Sequence, residues 1–239
     1  MSARTLPLTL VLLPGMDGTG EMFAPLVAAV GNQFNLKIIS YPVDGAMGYG
    51  ELTEIAYAQL PKNECFVLLG ESFSGPVAIA LAARAPANLV GLILCATFSA
   101  NPQPALVFSQ NWLKFLPIKF APPFLAEKLL LGNFSTPALR AALAQSLAQV
   151  STTALRTRMA AVLSVDVTTQ LAKIQIPVAY LRATHDRLVP RSASVHVLAH
   201  CIQAREIVFD APHFLLQTCA LKAASCIHHF CAQFNPTPD

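Results

Sequence analysis

Cys65-Phe66-Val67-Leu68-Leu69-Gly70-Glu71-Ser72-Phe73-Ser74-Gly75-Pro76 decides how this chain folds. An apolar run passes through glycine and serine into an alanine-rich segment that continues to Ala85. Strand, sharp turn and helix in that order form a nucleophile elbow. A serine at the centre of such a turn takes a strained backbone conformation, so residues two positions away must be small. The turn lifts the hydroxyl clear of the sheet, and backbone N–H groups at the helix N-terminus face any negative charge that develops there. Ser72 is therefore the candidate nucleophile. Ser74 is the rival centre, but that reading puts Pro76 at a close-packed position; Pro76 fits better in the first helical turn, where its missing N–H costs nothing. Taken alone, Ser72 could equally be a helix N-cap.

A serine nucleophile needs a base, and the base needs an acid to orient it. On this kind of sheet the order along the chain is serine, then acid, then histidine. Ile176-Pro177-Val178-Ala179-Tyr180-Leu181 has the pattern of a strand and leads to Asp186; Glu206-Ile207-Val208-Phe209 has the same pattern and leads to His213. Both candidates fall in loops beyond the carboxyl ends of strands, the edge where open α/β sheets bind ligands. His185 precedes the acid and so breaks the order. Asp210 fits a loop role, and His228 and His229 lie within a C-terminal helical pattern. Asp166 precedes its strand and is the reserve acid.

Leu8 to Leu13 forms an apolar run ahead of Pro14-Gly15-Met16-Asp17-Gly18-Thr19-Gly20. A loop N–H here can join that of the residue after the nucleophile, making Met16 and Phe73 the expected oxyanion donors. The glycine spacing matches neither phosphate-binding nor dinucleotide-binding loops. Asp17-Gly18 is also compatible with a plain turn.

These motifs together resemble those of the α/β-hydrolases, and the similarity covers nearly the whole chain. Pro14-Gly15 stands where many members have His-Gly, and Ser74 where most have glycine. Pro-Gly-x-Asp-Gly with Gly-Glu-Ser-Phe also resembles plant phytyl-ester-synthase-type acyltransferases and small bacterial lysophospholipase-like hydrolases. The resemblance implies a serine esterase using Ser72, Asp186 and His213. Such an enzyme acts on a small-molecule or lipid-like carboxylic ester and needs no metal and no organic cofactor. An acyltransferase on the same site and a non-catalytic binding protein are the competing expectations.

Composition bounds the setting. The 239 residues suffice for one α/β domain with a large core. Only 12% are charged, and mean hydropathy is +0.51, so the surface can carry an apolar patch suited to transient lipid contact. A net charge of +3 is too small and scattered for nucleic acid binding. No apolar run is long enough to span a membrane. Arg4 followed by Leu6 to Leu13 mimics a signal peptide, but the same residues are expected to form the first core strand. The six cysteines match no zinc spacing, even with His228 and His229 near Cys226, and a reducing cytoplasm is the expected compartment.

Strands are expected at about 7–13, 35–42, 64–70, 89–96, 176–182 and 205–209, with helices at about 20–31, 50–61, 73–85, 191–200 and 214–233. Alternation of this kind gives a mostly parallel sheet of about six strands flanked by helices. The first strand corresponds to the third of the full hydrolase fold. Residues 101–168 differ: they are rich in proline and helical in period, so the expected division is a core of 1–100 and 169–239 carrying a helical cap of 101–168. Thr136-Pro137 opens one cap helix. Phe108, Trp112 and Phe115 form one helical stripe that either packs the cap onto the core or lines an acyl pocket.

Overall fold

The computed structural model describes residues 8–105 and 123–234. Phe108, Trp112 and Phe115 lie outside the described residues. Six strands form one sheet: β1 (Thr9–Leu13), β2 (Asn35–Ile38), β3 (Phe66–Glu71), β4 (Leu89–Cys95), β5 (Val178–Ala183) and β6 (Ala204–Phe209). Their order is β2-β1-β3-β4-β5-β6, and every pairing is parallel. Parallel neighbours need crossovers, which here are helices: α1 (Ala24–Val30), α2 (Tyr49–Gln59), α3 (Gly75–Ala83) and, between β5 and β6, the helix Arg191–His200.

Side-chain alternation explains why both faces are covered. Val11, Leu13, Leu68, Leu92, Leu94 and Tyr180 bury one face with residues of α2 and α3. Leu10, Leu12, Val67, Leu69, Ile93 and Leu181 bury the other against α1 and the last helix, Ala220–Ala232. Central strands are thus apolar at consecutive positions, as expected for a sheet sandwiched between helices.

The chain runs outward from β1 to β2 and then returns to β3 on the opposite side of β1. That reversal leaves a crevice beyond the carboxyl ends of β1 and β3, the usual place for a ligand in such sheets. Gly15–Gly18 follow β1 and Ser72 follows β3, so both loops flank the crevice.

Two elements differ from the sequence expectation. Strand β2 stops at Ile38 because the Tyr41 N–H bonds to the Gly18 carbonyl at 2.7 Å and Pro42 has no N–H to offer a ladder. The last helix is two: Leu215–Thr218 and Ala220–Ala232, separated at Cys219, whose φ and ψ of −120° and 35° are not helical.

Between β4 and β5 lie the helices Pro123–Leu130, α5 (Pro137–Gln149) and α6 (Thr152–Ser164), where α4 denotes Pro123–Leu130. Thr136 caps α5 by accepting from the Leu139 N–H, as its sequence pattern implies, and Ser151 caps α6 through the Ala154 N–H. The base of this segment is closed by backbone bonds from Asn101 N–H to Val165 O at 3.0 Å and from Val167 N–H to Ser99 O at 2.8 Å. Among the described residues, no helix is long and apolar enough to cross a membrane.

Candidate active site

Ser72 sits at φ +50°, a left-handed conformation rare outside glycine, as the first residue of a short 3-10 turn that leads from β3 into α3. The small neighbours are required by contact. A Cβ on Gly70 would lie 2.7 Å from the Ala78 Cβ, and one on Gly75 would lie 1.9 Å from Thr97 Oγ1. Ser74, which stands where glycine is common, is accommodated. Its buried hydroxyl donates to the Pro14 carbonyl and meets the Tyr41 hydroxyl at 2.7 Å. Ser74 therefore ties the elbow to the loop after β1, and the positions with no room for a side chain are Gly70 and Gly75.

The structure brings together the three residues expected from the sequence. Ser72 Oγ lies 2.7 Å from His213 Nε2, and His213 Nδ1 lies 2.7 Å from Asp186 Oδ2. The other carboxylate oxygen, Oδ1, accepts from the N–H groups of Leu188 and Val189, each at 2.8 Å. Those bonds hold the carboxylate with its other oxygen, Oδ2, against the imidazole. The His213 and Asp186 side chains are 3% and 4% exposed, while Ser72 remains half-buried and accessible. Burial alone lowers the His213 pKa, but the charge and hydrogen bond of Asp186, with the charge of Glu71, outweigh it and leave it above the ordinary value. An imidazole hydrogen-bonded to serine and backed by a carboxylate is a base poised for that hydroxyl.

Other candidates separate from this group. Asp166 is exposed and accepts from the Thr168 N–H at 2.9 Å, starting a short helix. His185 pairs with Asp210 at 2.7 Å on the surface. Among the described residues, no three His, Cys, Asp or Glu side chains are grouped to hold a metal ion, Cys226 and its histidine neighbours included.

Met16 and Phe73 both border a cavity of about 230 Å³ that opens on Ser72 and His213. Its other walls are Phe98, Met159, Val162, Leu163, Leu188 and Val189, so α6 supplies one side. Asn101 and Gln103 also border it, but their amides are engaged. Asn101 Nδ2 donates to Leu163 O at 3.0 Å, and Gln103 Nε2 donates to Leu188 O at 3.2 Å. No charged side chain borders the cavity among the described residues.

Three participants escaped the sequence analysis. Glu71 is fully buried beside Ser72, and burial pushes its carboxyl up to about 7 against the hydrogen bond from Gln217. Gln217 Nε2 reaches Glu71 Oε1 at 2.9 Å, joining the elbow to the helix just after His213. Arg158 of α6 is 1% exposed and reaches the loop after β1. Only the helical setting of Arg158 among apolar residues hinted at burial.

Residues 48–214 match the family described as serine aminopeptidase, S33. The chain belongs to that family. Its fold is shared with a thermophilic esterase from Thermogutta terrifontis, at TM-score 0.79 and 18% identity over 95% of this chain and 90% of that one. It is shared equally with the enol-lactonase of Burkholderia xenovorans, at TM-score 0.78 and 17% identity over 98% and 93%. A lipase-esterase related protein from Clostridium acetobutylicum matches at TM-score 0.78 and 14% identity over 95% and 96%. This is the α/β-hydrolase fold. In sequence the chain is 34% identical over 108 residues to phytyl ester synthase 1, chloroplastic, from Arabidopsis thaliana. That stretch is 41% of this chain and 15% of the plant protein.

Proposed function

We propose that this hydrolase cleaves neutral, hydrophobic carboxylic esters through an acyl-enzyme on Ser72. The observation that carries the proposal is the unbroken hydrogen-bond chain Ser72–His213–Asp186 at the mouth of an apolar cavity. His213 Nε2 takes the hydroxyl proton as Ser72 Oγ attacks the ester carbonyl, and Asp186 stabilises the imidazolium. The N–H groups of Met16 and Phe73 receive the oxyanion. The C–O bond to the alcohol then breaks, and the imidazolium returns its proton to the departing oxygen. Water, deprotonated by the same histidine, attacks the acyl-serine and releases the acid. Among the described residues the cavity walls carry no charged side chain, which suits an alkyl chain and offers nothing to compensate a second carboxylate on the acid. The segment between β4 and β5 acts as a cap, supplying the α6 wall.

A panel of nitrophenyl esters of graded chain length, run alongside fluorophosphonate labelling, tests this. Labelling at Ser72 with activity that rises beyond acetate supports it; no label and no turnover would refute it.

Acyl transfer to an alcohol is the second reading, favoured by the 34% identity to a phytyl ester synthase. The same acyl-serine would be attacked by an alcohol instead of water. Product analysis with a long-chain alcohol present separates the two.

A further inference from the structure

Arg158 projects from α6 into the loop after β1 and is almost wholly buried. Its Nη1 donates to Met16 O at 2.8 Å and Asp17 O at 2.9 Å, while Nη2 donates to Pro42 O at 2.7 Å. The guanidinium lies 5.8 Å from the centre of the Tyr41 ring, the same tyrosine that bonds Ser74. A buried cation is costly unless its donors are engaged, so this placement needs the three carbonyls as much as they need it. The close approach also requires glycine at 18, where a Cβ would lie 2.7 Å from Arg158 Nη1 and φ is +76°.

Two of these carbonyls, Met16 and Asp17, belong to the loop proposed to bind the oxyanion; the third, Pro42, follows β2. Two peptide planes meet at Met16. The first carries the Gly15 carbonyl, which accepts from the Gly18 N–H at 3.1 Å; in a trans peptide the Met16 N–H points the opposite way. The second carries the Met16 carbonyl held by Arg158. With both planes anchored, the direction of the Met16 N–H is set. Helix α5 adds a second tie: Ser146 Oγ meets Thr19 Oγ1 at 3.2 Å, and Thr19 Oγ1 donates to Asp17 Oδ2 at 2.5 Å. The Met16 side chain packs against the small cluster of Val150, Ala154 and Leu155 that joins α5 to α6.

We infer that Arg158 is a positioning residue for the oxyanion hole: α6 reaches across the crevice and sets the Met16 N–H, so the helix that walls the pocket also aims the donor. The inference rests on the proposed ester chemistry and on Met16 as a donor. It further implies that α5 and α6 stay seated during turnover, because lifting them would strip three carbonyls of their donor.

Arg158→Met and Arg158→Lys test it, each with a melting curve. The readouts are kcat and KM on a nitrophenyl ester, and inhibition by a methyl ketone and its trifluoromethyl analogue. The fluorinated ketone gains affinity by forming a tetrahedral adduct on serine, which needs the oxyanion hole; the plain ketone does not. In Arg158→Met, kcat should fall about 100-fold with KM within a few-fold, as expected for misplacement of a donor by roughly 1 Å. The affinity advantage of the trifluoromethyl ketone should shrink in parallel. Arg158→Lys should recover part of both, since an ammonium can reach Met16 and Asp17 but lacks the fork that also serves Pro42. A folded Arg158→Met with kcat within twofold of wild type, or a loss confined to KM, overturns the inference while leaving the ester proposal intact. Should Arg158→Met fail to fold, Arg158→Lys decides by the same split: reduced kcat with unchanged KM supports, unchanged kcat overturns. A wild type that neither hydrolyses esters nor labels at Ser72 overturns both.

Discussion

The loops at the strand ends and the helices between β4 and β5 build the same site by different physical means. The strand-end loops deliver Met16, Ser72, Asp186 and His213, each a few residues past a strand whose register is locked by parallel ladders. Four hydrogen-bonded strands force those positions onto one edge, whatever the side chains beyond. The inserted helices deliver Met159, Val162 and Leu163 as walls and Arg158 as a clamp, through side-chain contacts and hydrogen bonds that no strand ladder enforces. On the proposed reading, topology places the reacting groups and α6 supplies the pocket wall, so changes at the wall residues should fail separately from changes at the strand ends.

The largest effect belongs to the strand ends. Ser72→Ala, His213→Ala and Asp186→Asn should each fold and lower kcat by about 10³-fold or more, with little further loss in combinations, because the three act as one unit. Asp166→Asn should leave kcat within about twofold, since that carboxylate is exposed and caps a short helix. Steady-state kinetics with a fluorophosphonate label checks both; a reversal of Asp186 and Asp166 would break the assignment of the acid.

Next in size is the turn that presents Ser72. In Gly75→Ala the new methyl must displace Thr97, which bonds the Ser72 carbonyl through its hydroxyl. Overpacking of this kind costs about 1–3 kcal/mol, so the melting temperature should drop by several degrees while kcat also declines. Ser74→Gly should cost less, as it removes only the tie among Pro14, Tyr41 and the elbow. If Ser74→Gly proves the more damaging of the two, the close contact has been placed at the wrong residue.

The contrast also explains what could be known beforehand. The six strands, the elbow and the order Ser72, Asp186, His213 were legible because each depends on local pattern plus a parallel sheet. The end of β2 was not, because Tyr41 bonds the Gly18 carbonyl instead of a neighbouring strand. The roles of Arg158 and Gln217 were not either. A helical arginine among alanines has the same local signature whether it faces water or three backbone carbonyls. Gln217 turns inward at a helix break that the apolar pattern around Cys219 hides.

The walls should respond to size and leave the chemistry alone. Met159→Trp narrows the cavity, so kcat/KM for a long-chain nitrophenyl ester should fall by about tenfold or more relative to the acetate. The acetate itself should be hydrolysed within about threefold of wild type. A parallel loss on both esters would mean that Met159 bears on the reacting groups and not on chain length.

The smallest effect should be a shift in pH dependence from Glu71→Gln. In the proposed mechanism hydrolysis needs neutral His213, so kcat/KM should fall as pH drops through the histidine pKa, which lies above the ordinary 6.5. The Glu71 carboxylate is one of the charges that holds it there. Replacing that carboxylate by a neutral amide makes the imidazolium easier to deprotonate, so the acid limb should move to lower pH with the plateau nearly unchanged. Gln217 can still donate to the new amide oxygen, which keeps the elbow tied to the His213 loop. Because Glu71 itself titrates at about 7, the wild-type limb should spread over two coupled protonations, and the variant should show one. A kcat/KM profile between about pH 5 and 9 on one nitrophenyl ester measures both features. An unmoved limb, or one displaced upward, would mean that Glu71 does not act on the base and that the buried carboxylate serves the packing of the elbow alone.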